Sequence, residues 1–322
     1  MWKKKSVQNA TGGGAATITA KLHGDEERKT PRMGGIVIWG ATLITTLLFA
    51  VLAVAAPESI FAKLTFLSRN QVWLPLFTLI AGALCGLIDD YLVCHGEQGS
   101  YAGGGLSLKV RLAFVGLLGA IGAWWFYTNL QTGDAIHVPF YGIINLGWFF
   151  IPFFIFYVIG MYSGGIIDGV DGLSGGVFSA IYAAMAIIAF TQGQVDLATF
   201  CAVIVGGLLA FLWFNIPPAR FFNSETGTMG LTTALVVVAF LERAEIATLI
   251  IALPLIVTAG SSTLQILSKK LRGGKKIFLV APLHNHFQAK GWPPYKVTMR
   301  YWVVSMMLAV VGVIVQLSGV HM

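Results

Sequence analysis

The chain has 322 residues, enough for about two soluble domains by length alone, yet 56% are hydrophobic, only 11% are charged and the mean hydropathy is +0.77. Uncharged apolar runs of 17 residues or more recur from residue 34 to the C-terminus, each about long enough to cross a bilayer core of roughly 30 Å. A soluble protein and a soluble domain on a single anchor are both excluded. The formal charge of +7 and pI near 9.3 come without a zinc-finger, RNP-like or basic-helix motif, so no nucleic-acid partner is expected and the basic excess is read as membrane orientation.

In chain order, residues 1–33 form a polar arm rich in Gly, Ala and Thr that opens on Trp2-Lys3-Lys4-Lys5. It lacks the apolar stretch of a signal peptide and reads as a disordered cytoplasmic segment ahead of one transmembrane catalytic domain, residues 34–322. Nine spans are predicted, at 34–56, 72–88, 112–127, 144–167, 173–190, 197–217, 228–241, 246–267 and 301–318, giving an all-α polytopic membrane protein. The seventh has only 14 uncharged residues and is expected to be short, tilted or partly re-entrant. Cys85, Cys94 and Cys201 lie in or beside these runs without CxxC spacing and read as small buried residues, neither disulfides nor a metal site.

Lys and Arg accumulate in loops that stay in the cytoplasm. With the N-terminus inside, 18 of the 21 basic residues fall on the inner side: seven in the arm, Lys109 and Arg111, Arg220, and eight from Lys269 to Arg300. Only Lys63, Arg69 and Arg243 fall outside. The C-terminus is then external. On this topology Asp89, Asp90, Asp168, Asp171 and Glu225 all sit at cytoplasmic ends of spans, while the spans themselves carry no charge. Carboxylates beside the bilayer core are costly unless hydrated, paired or bound to a cation, so their convergence points to a site; solvated helix ends are the bland alternative. Adjacent Asp89 and Asp90 need a positive partner, which Mg²⁺ could be and Lys109 or Arg111 equally could be.

In the stretch from Gly164-Gly165 to Asp168-Gly169-Val170-Asp171-Gly172-Leu173, a near-helical backbone would turn both acids to one side. The glycines would let a phosphate or ribose approach the main chain. A glycine-rich calcium loop is the alternative, disfavoured because the stretch lacks the ligand number of an EF-hand. The last inner loop carries Pro282-Leu283-His284-Asn285-His286-Phe287, with Lys275, Lys276 and Lys290 nearby. It suits a diphosphate or a lipid headgroup, and zinc finds too few ligands there.

Taken together, Thr30-Pro31-Arg32-Met33-Gly34-Gly35, Leu87-Ile88-Asp89-Asp90-Tyr91, the Asp168 to Leu173 block, Phe222-Asn223-Ser224-Glu225-Thr226-Gly227-Thr228 and the stretch from His284 to Pro293 resemble, in this order, the phospho-N-acetylmuramoyl-pentapeptide transferase (MraY) family, over roughly residues 30–318. The chain departs from the family pattern at several points. The polar arm stands where an amino-terminal span usually precedes the first block. The family's DDxxK lysine falls on Val93, its two asparagines on Tyr162 and Gly165, its GDTGS aspartate on Glu225 and the middle of three histidines on Asn285.

The resemblance implies Mg²⁺-dependent transfer of phospho-MurNAc-pentapeptide from its UDP carrier to a polyprenyl phosphate, giving lipid I and UMP at the cytoplasmic face of a bacterial inner membrane. By the same resemblance, Asp89 acts on the lipid phosphate with support from Asp90, Asp168 is catalytic, and Glu225 holds Mg²⁺ with help from Asp168. Gly169, Val170, Asp171, Asn215 and Phe222 form a uridine pocket, and His284 and His286 contact phosphate or sugar. Apart from the resemblance, Lys109 and Arg111, or Arg28 and Lys29, are expected to bind substrate in place of the lysine lost at Val93. Asn215 could equally bond a neighbouring helix and Phe222 could be an interface aromatic. A sister transferase using another UDP-amino sugar is the runner-up, a transporter or a non-catalytic relative is further off, and a homodimer is left open.

Overall fold

The computed structural model describes residues 30–67, 70–95, 105–129 and 134–320; the arm up to residue 29, with its expected disorder and with Arg28 and Lys29, falls outside them. Among the described residues the chain forms eleven α-helices and one small hairpin. They are α1 (Gly35–Ala55), α2 (Asn70–His95), α3 (Leu108–Asn129), β1 (Ala135–Val138), β2 (Gly142–Asn145), α4 (Phe150–Ser163), α5 (Leu173–Thr191), α6 (Val195–Asn215), α7 (Ser224–Leu241), α8 (Glu245–Ile251), α9 (Leu253–Leu271), α10 (Leu283–Ala289) and α11 (Pro294–Val320). Eight helical segments are long and apolar enough to cross a membrane, and the pair α8–α9, bent by 73°, makes a ninth. The protein is an all-α, multi-pass membrane protein, and each predicted span coincides with one of these segments.

Three predictions are corrected in detail. The fourth span begins later than residue 144, because Ala135–Val138 and Gly142–Asn145 pair antiparallel, Ala135 opposite Asn145, before Phe150 opens the helix. The eighth is broken at Ala252, ahead of Pro254, which has no N–H to continue the ladder. The acids Asp89, Asp90 and Glu225 lie within helices rather than beyond their ends, since α2 runs on to His95 and α7 starts at Ser224.

Helix α7 is the axis of the bundle, with nearly every side chain from Ser224 to Leu241 buried. It is the least apolar of the eight segments, and this is why it reads weakly: a helix wrapped by other helices meets no lipid and tolerates hydroxyls. Thr228, Thr232 and Thr233 each return their hydroxyl to a backbone carbonyl one turn back, at Ser224, Thr228 and Met229. Close packing against α2 rests on small residues. A Cβ at Gly82 would lie 2.9 Å from the Met229 carbonyl oxygen, one at Gly86 would overlap that of Glu225, and one at Gly230 would lie 2.6 Å from that of Leu79. This approach of two backbones sets Asp89 and Asp90 beside the N-terminus of α7.

Candidate active site

The site gathers at one end of the bundle, where the C-terminal part of α2, the N-termini of α3 and α7, and the loops after α4 and α9 meet. Each acid is held differently. Asp90 is fully buried: Oδ2 accepts hydrogen bonds from the Thr226 amide (2.9 Å) and hydroxyl (2.7 Å), and Oδ1 accepts from Nε of Arg32 at 3.2 Å. Asp89 presents Oδ1 to the Leu106 amide at 2.6 Å, beside Gly105, whose φ of 85° suits a residue without Cβ. Its Oδ2 lies 3.9 Å from Nη1 of Arg111. The same Nη1 sits 2.6 Å from Oε1 of Glu225, and the Tyr162 hydroxyl donates to Oε2 of Glu225 at 3.5 Å. One guanidinium nitrogen thus stands between carboxylates from α2 and α7.

Asp168 and Asp171 do not turn to one side. The backbone leaves the helical region at Asp168 (φ −76°, ψ 58°) and turns left-handed at Gly172 (φ 73°). Asp168 accepts from the Ser174 hydroxyl at 2.5 Å and the Ser224 amide at 2.6 Å, whereas Asp171 accepts from the Ala219 amide at 2.9 Å. Burial pushes the Asp168 carboxyl up from its ordinary pKa, opposed by these two hydrogen bonds. Ser224 has a left-handed φ of 58°, a conformation costing about 1–2 kcal/mol for a residue with a Cβ, and Asp168 anchors its amide there.

The glycines of this loop are filled from within the protein. Cβ atoms at Gly164, Gly165 and Gly169 would lie 2.7 Å from Leu255 Cβ, 3.2 Å from Thr228 Cβ and 2.5 Å from His284 Nε2. Asn215 accepts from the Gly172 amide (3.0 Å) and donates to the Phe221 carbonyl (2.8 Å), and Trp302 Nε1 donates to the Gly172 carbonyl (3.0 Å). Asn215 therefore ties together the loops before α5 and after α6. Val170 and His284 are buried, and Phe222 is half-buried with its amide on Pro31 and its carbonyl on Gly34. His286 accepts the Leu279 amide at Nδ1 (3.1 Å), and burial, aided by Lys290, lowers its pKa. Lys109 is exposed and, among the described residues, pairs with none of the acids.

Arg32, Thr226 and Tyr162 had no assigned role in the sequence, yet each touches an acid. Arg32 was legible as a cation inside the first block; Thr226 and Tyr162 carried no charge to betray them. Among the described residues no group of three or more His, Cys, Asp or Glu is arranged to hold a metal ion. Asp168, expected to help Glu225 hold the ion, has its two oxygens engaged by Ser174 and Ser224, and it is Asp89 that shares Arg111 Nη1 with Glu225. Once that guanidinium turns to a substrate phosphate, Asp89 and Glu225 offer hard oxygens to an ion that takes one or two carboxylates and completes its shell with water and phosphate.

Residues 72–242, from α2 to the end of α7, match the model of glycosyl transferase family 4. The chain is 33% identical over 296 residues to the phospho-N-acetylmuramoyl-pentapeptide-transferase of Levilactobacillus brevis, covering 91% of this chain and 86% of that one. For the enzyme of the same name from Ruegeria pomeroyi the identity is 34% over 305 residues, covering 88% and 79%, and for that from Geobacillus sp. it is 33% over 294 residues, covering 89% and 84%. The chain belongs to the phospho-N-acetylmuramoyl-pentapeptide transferase family. The segment matched by glycosyl transferase family 4 contains Asp89, Asp90, Arg111, Asp168 and Glu225, whereas Arg32, which pairs with Asp90, and His284, which lies against Gly169, are outside it. The transferase likeness thus covers both the acids and the bundle that presents them.

Proposed function

We propose that this protein transfers phospho-MurNAc-pentapeptide from UDP-MurNAc-pentapeptide to a polyprenyl phosphate, releasing UMP and forming lipid I for peptidoglycan synthesis. The observation that carries the proposal is the meeting of Asp89 and Glu225 at Nη1 of Arg111, within a chain related over most of its length to enzymes of that name. Phosphoryl transfer needs little more from a protein than alignment of the attacking and leaving oxygens and compensation of their negative charge. Cations beside paired acids supply both.

Asp89 keeps one oxygen fixed by Leu106 and turns the other toward Arg111, so it is placed to position the acceptor phosphate and take its proton. Asp90, locked by Thr226 and Arg32, keeps Asp89 oriented from the next position in α2. Mg²⁺, held by Asp89 and Glu225, would neutralise charge on the donor diphosphate. Asp168 holds the loop against α7, where Gly169, Val170, Asp171, Asn215 and Phe222 shape a nucleoside pocket, and His284 and His286 meet phosphate or sugar. Arg111 balances charge on the leaving UMP. Consistent with the distribution of basic residues, the site faces the cytoplasm of a bacterium, with the N-terminus on the same side.

The test is UMP release by detergent-purified protein with polyprenyl phosphate and Mg²⁺, offered UDP-MurNAc-pentapeptide or UDP-N-acetylglucosamine in separate reactions. Release with the first donor alone is expected. Release with the second alone would move the protein to a sister specificity, and release with neither from folded protein would defeat the assignment.

A further inference from the structure

Away from the acids, α9, α10 and α11 enclose a cavity of about 310 Å³. Its walls are apolar, with Leu253, Pro254, Val257, Val304 and Leu308 among them, and Leu253, Val257 and Val304 are exposed on the outer surface of the bundle, where lipid would lie. Arg300 is the charged residue of its lining, and Lys296 reaches it through the Trp292 ring. Phe287 and Trp292 stack face to face at 4.7 Å, the guanidinium of Arg300 lies 4.1 Å from the centre of the Trp292 ring, and Lys296 Nζ lies 5.6 Å from it. Among the described residues neither cation pairs with a carboxylate. An apolar slot capped by two positive charges held on an aromatic plate complements an amphiphile with an anionic head and a hydrocarbon tail.

We infer that this groove is a binding site for an anionic membrane phospholipid, with an acyl chain between α9 and α11 and the phosphate at Arg300 and Lys296. The site would bear on the chemistry without joining it. Helix α10 contributes Leu283 and Phe287 to the groove while its His284 packs against Gly169, so a seated lipid would brace the helix from behind.

The inference is tested by native mass spectrometry of the full chain released from nanodiscs containing equal amounts of phosphatidylglycerol and phosphatidylcholine. Wild type should retain phosphatidylglycerol about thirtyfold over phosphatidylcholine, the preference expected of two cations near the headgroup. R300Q/K296Q should lose that preference, and Val257→Trp, which fills the slot, should lose retention of both lipids with an unchanged circular dichroism spectrum. Should Val257→Trp misfold, Val304→Phe provides the same occlusion from α11. Equal retention of the two lipids by wild type, or an undiminished preference in R300Q/K296Q, overturns the inference. So does one-for-one displacement of phosphatidylglycerol by polyprenyl phosphate, which would make the groove the acceptor's own. None of these readouts depends on turnover, so the groove can fail while the transferase assignment stands.

Discussion

Glu225 carries one methylene more than the aspartate typical of the family pattern, and that extra reach ends at Arg111 and the Tyr162 hydroxyl. Two departures from the pattern, Tyr162 and Glu225, therefore meet in one network instead of being scattered losses. Arg111 and Glu225 are largely shielded from water, so their pairing should exceed that of a surface ion pair. A cycle of Arg111→Gln, Glu225→Gln and the double variant should give a coupling of about 1–2 kcal/mol in detergent unfolding; additive effects would dissolve the network. Asp89→Asn retains an oxygen for the Leu106 amide but no base, so turnover should fall by about 10²–10⁴ while the melting temperature moves little. Normal UMP release from that variant would remove Asp89 from the chemistry.

At the opposite end of α7, the carboxylate of Glu242 is buried with no hydrogen-bond partner for either oxygen among the described residues, and burial pushes its pKa well up. A carboxyl whose folded pKa is raised binds more protons folded than unfolded, so its contribution is fully present below the unfolded value near 4.3. It is lost as pH climbs from there toward the folded value. Wild type should accordingly lose melting temperature relative to Glu242→Gln between pH 5 and pH 9. Parallel pH profiles for the two proteins would show that Glu242 does not titrate in this way.

At the scale of elements, the crossing of α2 and α7 fixes the site. Gly86→Val drives a side chain into the Glu225 carbonyl and should cost about 1–3 kcal/mol as an overpacking defect, with loss of activity because the acids separate. An unchanged melt would mean the helices can part without harm. Apart from α7, the apolar runs that made the spans visible in the sequence keep exposed apolar side chains on the outside of the bundle. Less visible were features that touch only protein: the hairpin, too short for a period-2 pattern, the break at Ala252, and the full length of α7. The same limit applied inside the site. The acids could be read from charge and position, but Thr226 and Tyr162 gain meaning only from where the chain brings them. A spacing of three residues, read as near-helical, placed Asp168 and Asp171 on one side, whereas a non-helical backbone sends them to separate partners.

For the whole molecule, the distribution of Lys and Arg implies a single orientation. The described cysteines Cys85, Cys94 and Cys201 are all buried, which leaves a quiet background for labelling. Lys275→Cys, exposed after α9, should react with an impermeant maleimide only in inside-out vesicles, and Tyr141→Cys, exposed on the hairpin, only in right-side-out ones. The opposite pattern would invert the topology and place the acids outside the cell.

The enclosure of α7 also bears on how the protein is made. A segment that carries Glu225 and four threonines, and is the least apolar of the eight candidates, gains little from partitioning into lipid by itself. Its place in the bilayer is earned through neighbours that arrive earlier in synthesis, chiefly α2, with α1 and α4 beside it. Biogenesis of this transferase is then a matter of delivering helices as a group, with the axis of the bundle the last part able to stand in the membrane alone.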